Sequence, residues 1–369
     1  MTETVLTEYR TVTDRWQPRD HAWLDRPPSQ FAGEPNRPLF IGSCPRSGST
    51  LLRSLLNNHP DIAIPPETNV VIPAWRKRAR YGDLRQPDNR NRLAEWIFDS
   101  PGLGGRRLRR ARFFTREEAI ARVMAAPPTL GSVFATVFEM FAEAKGKPRW
   151  GDKRPRYAGM VDMVFALFPN AQFVNLIRDP RGAAASQVPL AWDEEHAVLA
   201  SSVCTWEWSV RRVDRFAGRL RPDQLLDVRF EDLVRDPEGT LQGICSFANL
   251  REDDDTVYEM IDRPRCGVFN EGWHDRLAEP ISPAPIDSWT ERLEPCQVAL
   301  VEYATRHHLE RFGYRPAPDL AAGPDPSEVR QIAHEHARRQ WKWWRYAVGE
   351  AKRRHLSCPH PVAAVATAY

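Results

Sequence analysis

The chain has 369 residues, of which 42% are hydrophobic and 27% charged, and its formal net charge is +3 at pH 7. These proportions are typical of an ordinary globular protein, and so small a net charge gives no sign of a nucleic-acid partner. The six cysteines contain no Cys-x-x-Cys pair, which favours buried thiols over a zinc site or disulfide framework. No apolar leader or membrane-length apolar run is present, so we expect a cytoplasmic protein.

Three apolar segments, each followed by a helical pattern, predict the strands of a parallel sheet. The first covers 39–41 and precedes the loop GSCPRSGS and a helix that ends near Pro60. The second is AQFVNLI at 171–177, and the third is LLDVRF at 225–230. This order predicts an α/β fold with a central parallel sheet and helices on both faces. Ligands of such sheets bind at the carboxyl ends of the strands.

The remaining segments predict additions to this body. Residues 1–37 form a polar N-terminal arm, and about 74–147 form a helical, arginine-rich insertion within the body at 38–316. Residues 317–369 combine a linker with a basic, tryptophan-rich helix. One apolar stripe follows this tail helix and consists of Ala337, Trp341, Trp344, Val348 and Ala351. Packing on the body is the default for it, while a homodimer contact and a peripheral membrane contact stay open.

The loop after the first strand has the character of a phosphate-binding turn without the expected lysine. A Walker A loop reads G-x-x-x-x-G-K-[ST], whereas here five residues separate Gly42 from Gly48 and a serine replaces the lysine. This weakens the kinase or NTPase alternative. Backbone N–H groups, hydroxyls and a guanidinium at a helix N-terminus still favour an anion site. The residues concerned are Arg46, Ser47, Gly48, Ser49 and Thr50. A glycine-containing turn without a ligand is the other interpretation.

A second motif follows the second predicted strand, in LIRDPRGAAAS. Arg178 stands at the strand end and can hold a phosphate with a fork of donors, and Ser186 follows two helical turns later. Without any ligand, Asp179 as a helix cap and Pro180 at the first helical position explain the same letters. Either motif alone is a weak signal, but the two in this order are a strong one.

Together these motifs resemble those of sulfotransferases that use 3′-phosphoadenosine 5′-phosphosulfate (PAPS). The run PRSGSTLLRSLLNNHPDI resembles their 5′-phosphosulfate loop, and Arg178 and Ser186 match the 3′-phosphate motif. PPETNVVIP and GDKRP resemble segments of the tyrosylprotein and bacterial branches, and the likeness extends over 38–316. The resemblance implies a P-loop-like fold and PAPS as the donor. It also implies 3′-phosphoadenosine 5′-phosphate (PAP) as the product and no metal. It adds Leu51 and Phe230 to the cofactor contacts.

The same resemblance implies in-line sulfuryl transfer to an acceptor hydroxyl. Such a reaction needs a base and positive groups for the departing phosphate. Glu67 is the candidate base, with His59 as its rival, and Lys153 and Arg46 are candidates for the positive groups. A solvated acid, a helix-ending histidine and a surface lysine are the non-catalytic alternatives. Glu279 stands where the tyrosylprotein branch has a cofactor-binding lysine, so no contact is carried over there.

The acceptor side is expected in the 74–147 insertion, and the acceptor itself to be a hydroxyl-bearing small molecule, glycan or lipid-linked molecule. The run GGRRLRRARF would suit an acidic or glycosidic acceptor, although a solvated basic face explains it as well. Its arginines are Arg106, Arg107, Arg109, Arg110 and Arg112. A non-catalytic nucleotide-binding protein remains the further alternative.

Overall fold

A five-stranded parallel sheet forms the centre of the computed structural model, which describes residues 37–99, 114–187, 195–264, 279–318 and 324–355. The strand order is β2-β3-β1-β4-β5, and each neighbouring pair is parallel. The strands are β1 (Leu39–Ser43), β2 (Ile62–Ala63), β3 (Arg149–Lys153), β4 (Gln172–Ile177) and β5 (Leu225–Arg229).

Strands β1, β4 and β5 confirm the three predicted strands, whereas β2 and β3 were not predicted. Strand β2 has two residues, too few for a pattern. Strand β3 reads RWGDK, and all five residues are buried although three of them are charged. Its charges are compensated by partners from distant segments, which no local pattern reveals. Strand β5 ends at Arg229, one residue before the predicted end, because Phe230 begins a helix.

Thirteen α-helices surround this sheet within the described residues. The first seven are α1 (Ser49–Asn58), α2 (Val71–Lys77), α3 (Pro87–Asp99), α4 (Arg116–Ala125), α5 (Leu130–Glu143), α6 (Val161–Leu167) and α7 (Pro180–Ala185). The others are α8 (Glu195–Ala217), α9 (Phe230–Arg235), α10 (Pro237–Ala248), α11 (Asp254–Asp262), α12 (Pro295–Leu309) and α13 (Pro326–His355). Short 3-10 turns cover Arg78–Arg80, Pro155–Met160 and Glu310–Phe312.

Alternate side chains of the strands feed two separate cores. On β1, Phe40 points into an aromatic core that includes residues from α5, α6 and α8. Its neighbours Leu39 and Ile41 point into an aliphatic core with residues of α1, α10 and α11. Alternation of this kind places helices on both faces of the sheet. The predicted fold class is therefore confirmed.

The described parts of the insertion are helical, with α2 to α5 lying between β2 and β3. The N-terminal arm up to residue 36 and the arginine-rich run at 105–112 lie outside the described residues. In the tail, Val329 and Ile332 pack in a core with residues of α8 and α12. Of the predicted stripe, Ala337 is exposed and Trp341 is 55% exposed, and the side chains of Trp344, Val348 and Ala351 lie outside the described ones. The described packing of the tail therefore uses the first turns of α13. Across the described ranges, no helix is long and apolar enough to cross a membrane.

Candidate functional site

Basic residues lie at the carboxyl ends of four neighbouring strands. The loop after β1 carries Arg46, β3 ends at Lys153, β4 is followed directly by Arg178, and β5 ends at Arg229. Since all the strands are parallel, these four positions share one edge of the sheet, where ligands of α/β proteins bind. The edge therefore presents a positive surface suited to a polyanion.

The loop after β1 contains two residues with left-handed backbones just before helix α1. Arg46 and Gly48 both have left-handed backbones, with φ of 68° and 85°. These two residues flank Ser47 at the start of helix α1. In turns of this kind, backbone N–H groups commonly form a concave site for an anion. A Cβ atom at Gly48 would overlap the ring of Phe230, so this position requires glycine. The hydroxyl of Ser47 is buried and has no hydrogen-bond partner within the described residues.

The two sequence motifs are in direct contact. Nε of Arg46 donates to Oγ of Ser186 at 3.1 Å, and Nη1 of Arg178 donates to the carbonyl oxygen of Arg46 at 2.9 Å. The indole N–H of Trp206 donates to the carbonyl oxygen of Arg178 at 2.8 Å, which fixes this strand end from helix α8. The loop after β1 and the end of β4 therefore form one site.

Arg178 is a buried cation with donor capacity left over. Its residue is 6% exposed, Nη2 donates to the carbonyl oxygen of Pro285 at 2.9 Å, and the guanidinium lies 4.5 Å from the ring centre of Phe230. Nε has no partner within the described ranges. Burial lowers the pKa of Arg178 to about 10, so the group stays charged at neutral pH. A buried N–H on a charged group is suited to an anionic ligand.

Lys153 joins the phosphate loop to Glu67. Its Nζ donates to Oε1 of Glu67 at 2.5 Å and to Oγ1 of Thr50 at 3.2 Å. The lysine is 2% exposed, whereas 32% of the Glu67 side chain is exposed. Burial lowers the pKa of Lys153, and the negative charge of Glu67 opposes that change. An ammonium has three donors, and these two partners from the described residues use two of them.

A second carboxylate next to Lys153, that of Asp152, is fully buried. Asp152 accepts hydrogen bonds from the hydroxyl of Tyr157 and from the backbone N–H of Lys153, the latter at 3.0 Å. Burial raises the pKa of Asp152 to about 6. Asp152 and Glu67 both contribute negative charge near Lys153.

His59 lies away from this cluster, at the opposite end of α1. Its Nδ1 accepts from the N–H of Asp61 at 3.0 Å, so Nε2 carries the proton and donates to the carbonyl oxygen of Arg251 at 2.9 Å. Burial lowers the pKa of His59, which favours the neutral ring. The ten residues of α1 place the two helix ends about 15 Å apart. The structure does not bring His59 to Glu67 and Lys153.

The other predicted cofactor residues lie around the same loop. Ser49 and Thr50 form the first turn of α1, and Leu51 packs between the aliphatic core and Phe230. Phe230 is itself buried beneath Gly48 and Arg178. Its role as a cofactor contact stays a prediction.

Sequence reasoning missed several residues that shape the site. Trp206 and the carbonyl of Pro285 contact Arg178, and Asp152 contacts the backbone of Lys153. Only the last is near its partner in sequence. The prolines of the 279–289 loop are visible in the sequence, but its contact with Arg178 at the end of β4 is not.

A parallel sheet, a left-handed loop entering a helix, and cations at adjoining strand ends together define a P-loop-like α/β protein. The model of the sulfotransferase family matches residues 38–255. This is more than half of the chain, and the chain therefore belongs to the sulfotransferase family.

Curated relatives include protein-tyrosine sulfotransferases. The Drosophila melanogaster enzyme is 25% identical over 264 residues, which are 69% of this chain but 47% of that protein. Protein-tyrosine sulfotransferase 1 of Danio rerio is 24% identical over 298 residues, covering 78% of this chain and 76% of the relative. Among solved structures, the sulfotransferase domain of the Synechococcus PCC 7002 olefin synthase aligns with a TM-score of 0.54 and 26% identity. That alignment covers 82% of this chain and 99% of the domain.

Proposed function

We propose that this protein transfers the sulfuryl group of PAPS to an acceptor hydroxyl. The contact of one buried ammonium, Lys153, with both Glu67 and the phosphate-loop residue Thr50 carries the proposal. It supports the proposal because a carboxylate, an ammonium and a hydroxyl of the loop that enters α1 are joined at one point. Sulfuryl transfer needs these three elements together.

The residues present fit a donor with two anionic groups on one nucleotide. The loop residues Arg46, Ser47, Ser49 and Thr50 would hold the 5′-phosphosulfate, and the buried unpaired Oγ of Ser47 lies among them. Arg178, with its unpaired Nε, and Ser186 would hold the 3′-phosphate, with Leu51 and Phe230 bordering the nucleotide. When bound, PAPS supplies the sulfuryl group that is transferred.

On the acceptor side, Glu67 would accept the proton of the attacking hydroxyl. Its neighbour Lys153 pairs with this carboxylate, and its ammonium would also stabilise the departing phosphate oxygen as charge develops there. Arg46 adds a second positive charge beside the loop. The acceptor oxygen would form a bond to sulfur while the bond between sulfur and the bridging phosphate oxygen breaks. PAP would leave with that electron pair, and the hydroxyl proton would pass to Glu67.

The contact between Thr50 and Lys153 also bears on the NTPase alternative. In a P-loop NTPase the corresponding hydroxyl binds magnesium, whereas here it accepts a hydrogen bond from an ammonium. The ammonium of Lys153 thus provides a cation where an NTPase would bind magnesium. This contact favours sulfuryl over phosphoryl transfer.

The acceptor that we propose is a hydroxyl on a small molecule, a glycan or a lipid-linked molecule. The described insertion helices α2 to α5 lie between β2 and Lys153 on β3, which supports an acceptor side formed by residues 74–147. The names of the animal relatives specify protein tyrosine as the acceptor for those proteins.

Two measurements test the proposal. Thermal stabilisation is expected with PAP in the absence of magnesium, and none is expected with ATP and magnesium. Radiolabelled sulfate from PAPS should then pass into an acceptor in extracts, and the labelled product identifies the acceptor class. Stabilisation by ATP with magnesium and none by PAP would reject the proposal.

A further inference from the structure

Glu231 is a buried carboxylate at the edge of the proposed nucleotide site. It lies in the first turn of α9 and is 2% exposed. Oε1 accepts a hydrogen bond from the backbone N–H of Asp179 at 2.9 Å, and Oε2 accepts one from the hydroxyl of Tyr314 at 2.9 Å. The N–H of Asp179 belongs to the peptide that follows Arg178. Glu231 therefore binds the backbone at the point where Arg178 leaves strand β4.

The charges around Glu231 come from several elements. Burial lowers the pKa of Arg178, and Glu231 is the largest influence that opposes this change. On the other side, Nε of Arg229 lies 4.0 Å from Oε2, and the Arg229 guanidinium lies 4.8 Å from the ring centre of Tyr314. Glu231 thus supplies negative charge near two arginines and connects β4, α9 and the segment after α12.

We propose that Glu231 is a positioning residue that aligns Arg178 with the 3′-phosphate of the nucleotide. This inference rests on the proposed function. The carbonyl oxygens of Arg46 and Pro285 hold the Nη atoms of Arg178, which fixes the guanidinium end of the side chain, and the other end is fixed where its backbone is held. Glu231 and Trp206 hold the two polar groups of the peptide that links Arg178 to Asp179. Loss of one of them frees that peptide to rotate.

The hydrogen bonds of Glu231 would favour phosphate binding, whereas its negative charge would oppose it, and two substitutions separate these effects. Glu231→Gln leaves a side chain that can accept from the N–H of Asp179 and donate to Tyr314, but removes the negative charge that repels a phosphate. Glu231→Ala removes both hydrogen bonds. A positioning role therefore predicts that Glu231→Gln preserves binding of the 3′-phosphate and Glu231→Ala weakens it.

The experiment compares PAP with adenosine 5′-phosphate, which lacks the 3′-phosphate, by calorimetry on the full chain. Wild type should prefer PAP. Glu231→Ala should reduce that preference about tenfold, with little change for adenosine 5′-phosphate, and Tyr314→Phe about threefold. Glu231→Gln should keep the preference. Asp232→Ala is the matched control, because Asp232 is the next residue on α9 and its side chain is 51% exposed.

Each outcome separates this inference from the proposed function. A wild-type protein that binds both nucleotides equally argues against the proposed function itself. A wild-type preference that survives in Glu231→Ala and Tyr314→Phe overturns the positioning role alone. Equal losses for both nucleotides, or a loss in Glu231→Gln as large as in Glu231→Ala, also overturn it. If Glu231→Ala does not fold, Tyr314→Phe decides the matter.

Discussion

Two buried arginines at opposite edges of the sheet differ in how completely the chain satisfies their hydrogen-bond donors. Arg149 begins β3 at the amino edge, and its three side-chain nitrogens donate to the carbonyls of Arg37 and Ala248 and to the side chain of Gln172. Arg178 follows β4 at the carboxyl edge, and its Nε has no partner within the described residues. Burial lowers the pKa of each to about 10.

The difference lies in the acceptors that surround each guanidinium, since burial and charge are nearly the same. At the amino edge the chain satisfies its own buried donors, as stability requires. At the carboxyl edge a guanidinium nitrogen and the hydroxyl of Ser47 have no partner within the described residues. Unsatisfied buried donors destabilise the protein unless a ligand pairs with them. This difference supports the proposal that an anion completes the carboxyl edge.

The largest effect is expected from Glu67→Gln at the carboxyl edge. Loss of the proton acceptor should lower kcat about a thousandfold while PAP affinity changes less than about threefold. Steady-state sulfuryl transfer and calorimetry with PAP measure the two quantities. Full activity in this variant would remove Glu67 from the reaction.

A matched pair of substitutions tests the comparison of the two edges directly. Arg149→Met should lower the free energy of unfolding by about 3 kcal/mol, because three buried acceptors lose their donor, and should leave PAP affinity unchanged. Arg178→Met should destabilise the fold by about 1 kcal/mol and weaken PAP binding about 30-fold. Urea denaturation and calorimetry measure both. Equal effects of the two variants on PAP affinity would contradict the distinction.

Asp152 should make stability depend on pH. Since burial raises its pKa from 3.8 to about 6, the folded protein holds a proton that the unfolded chain releases between these values. The stability from that proton is fully present below pH 3.8 and is lost as pH rises through about 6. Relative to Asp152→Asn, wild type should lose about 1 kcal/mol between about pH 5 and about pH 7.5. Urea denaturation of both proteins at each pH measures it, and a difference that stays constant would refute the assignment.

The smallest effect is expected far from both edges, at Trp341 on the tail helix. Because its side chain is more than half exposed, Trp341→Ala should change the free energy of unfolding by less than about 0.5 kcal/mol. Ile332→Ala, one of the packed residues of the same helix, should cost about 2 kcal/mol and is the comparison. Thermal or urea denaturation distinguishes them, and a larger loss at Trp341 would indicate that the tail is covered in solution.

The sequence predicted those parts of the fold that rest on local patterns. The apolar runs of β1, β4 and β5, and the helix that ends at Asn58, follow from hydrophobic periodicity and stop signals. Strand β3 was not predicted, because its buried Arg149 and Lys153 resemble surface residues in the sequence. Their partners lie in distant segments.

For the candidate site, the sequence predicted which residues take part but not which of them contact each other. Glu67 and Lys153 were each assigned a chemical role, but their ion pair joins residues 86 positions apart, and no short-range signal encodes it. The same holds for Glu231 and Tyr314, 83 positions apart. Side chains that meet through the packing of separate strands require the fold to be known first.

The ring of Phe230 fills the space next to the bare α-carbon of Gly48 and also lies against the guanidinium of Arg178. A single rigid aromatic group thus acts as a spacer between the two proposed phosphate positions. Under the proposed function, this spacing would select a nucleotide by the separation of its two phosphates. Isomers that carry the second phosphate on a different ribose oxygen should then bind less tightly.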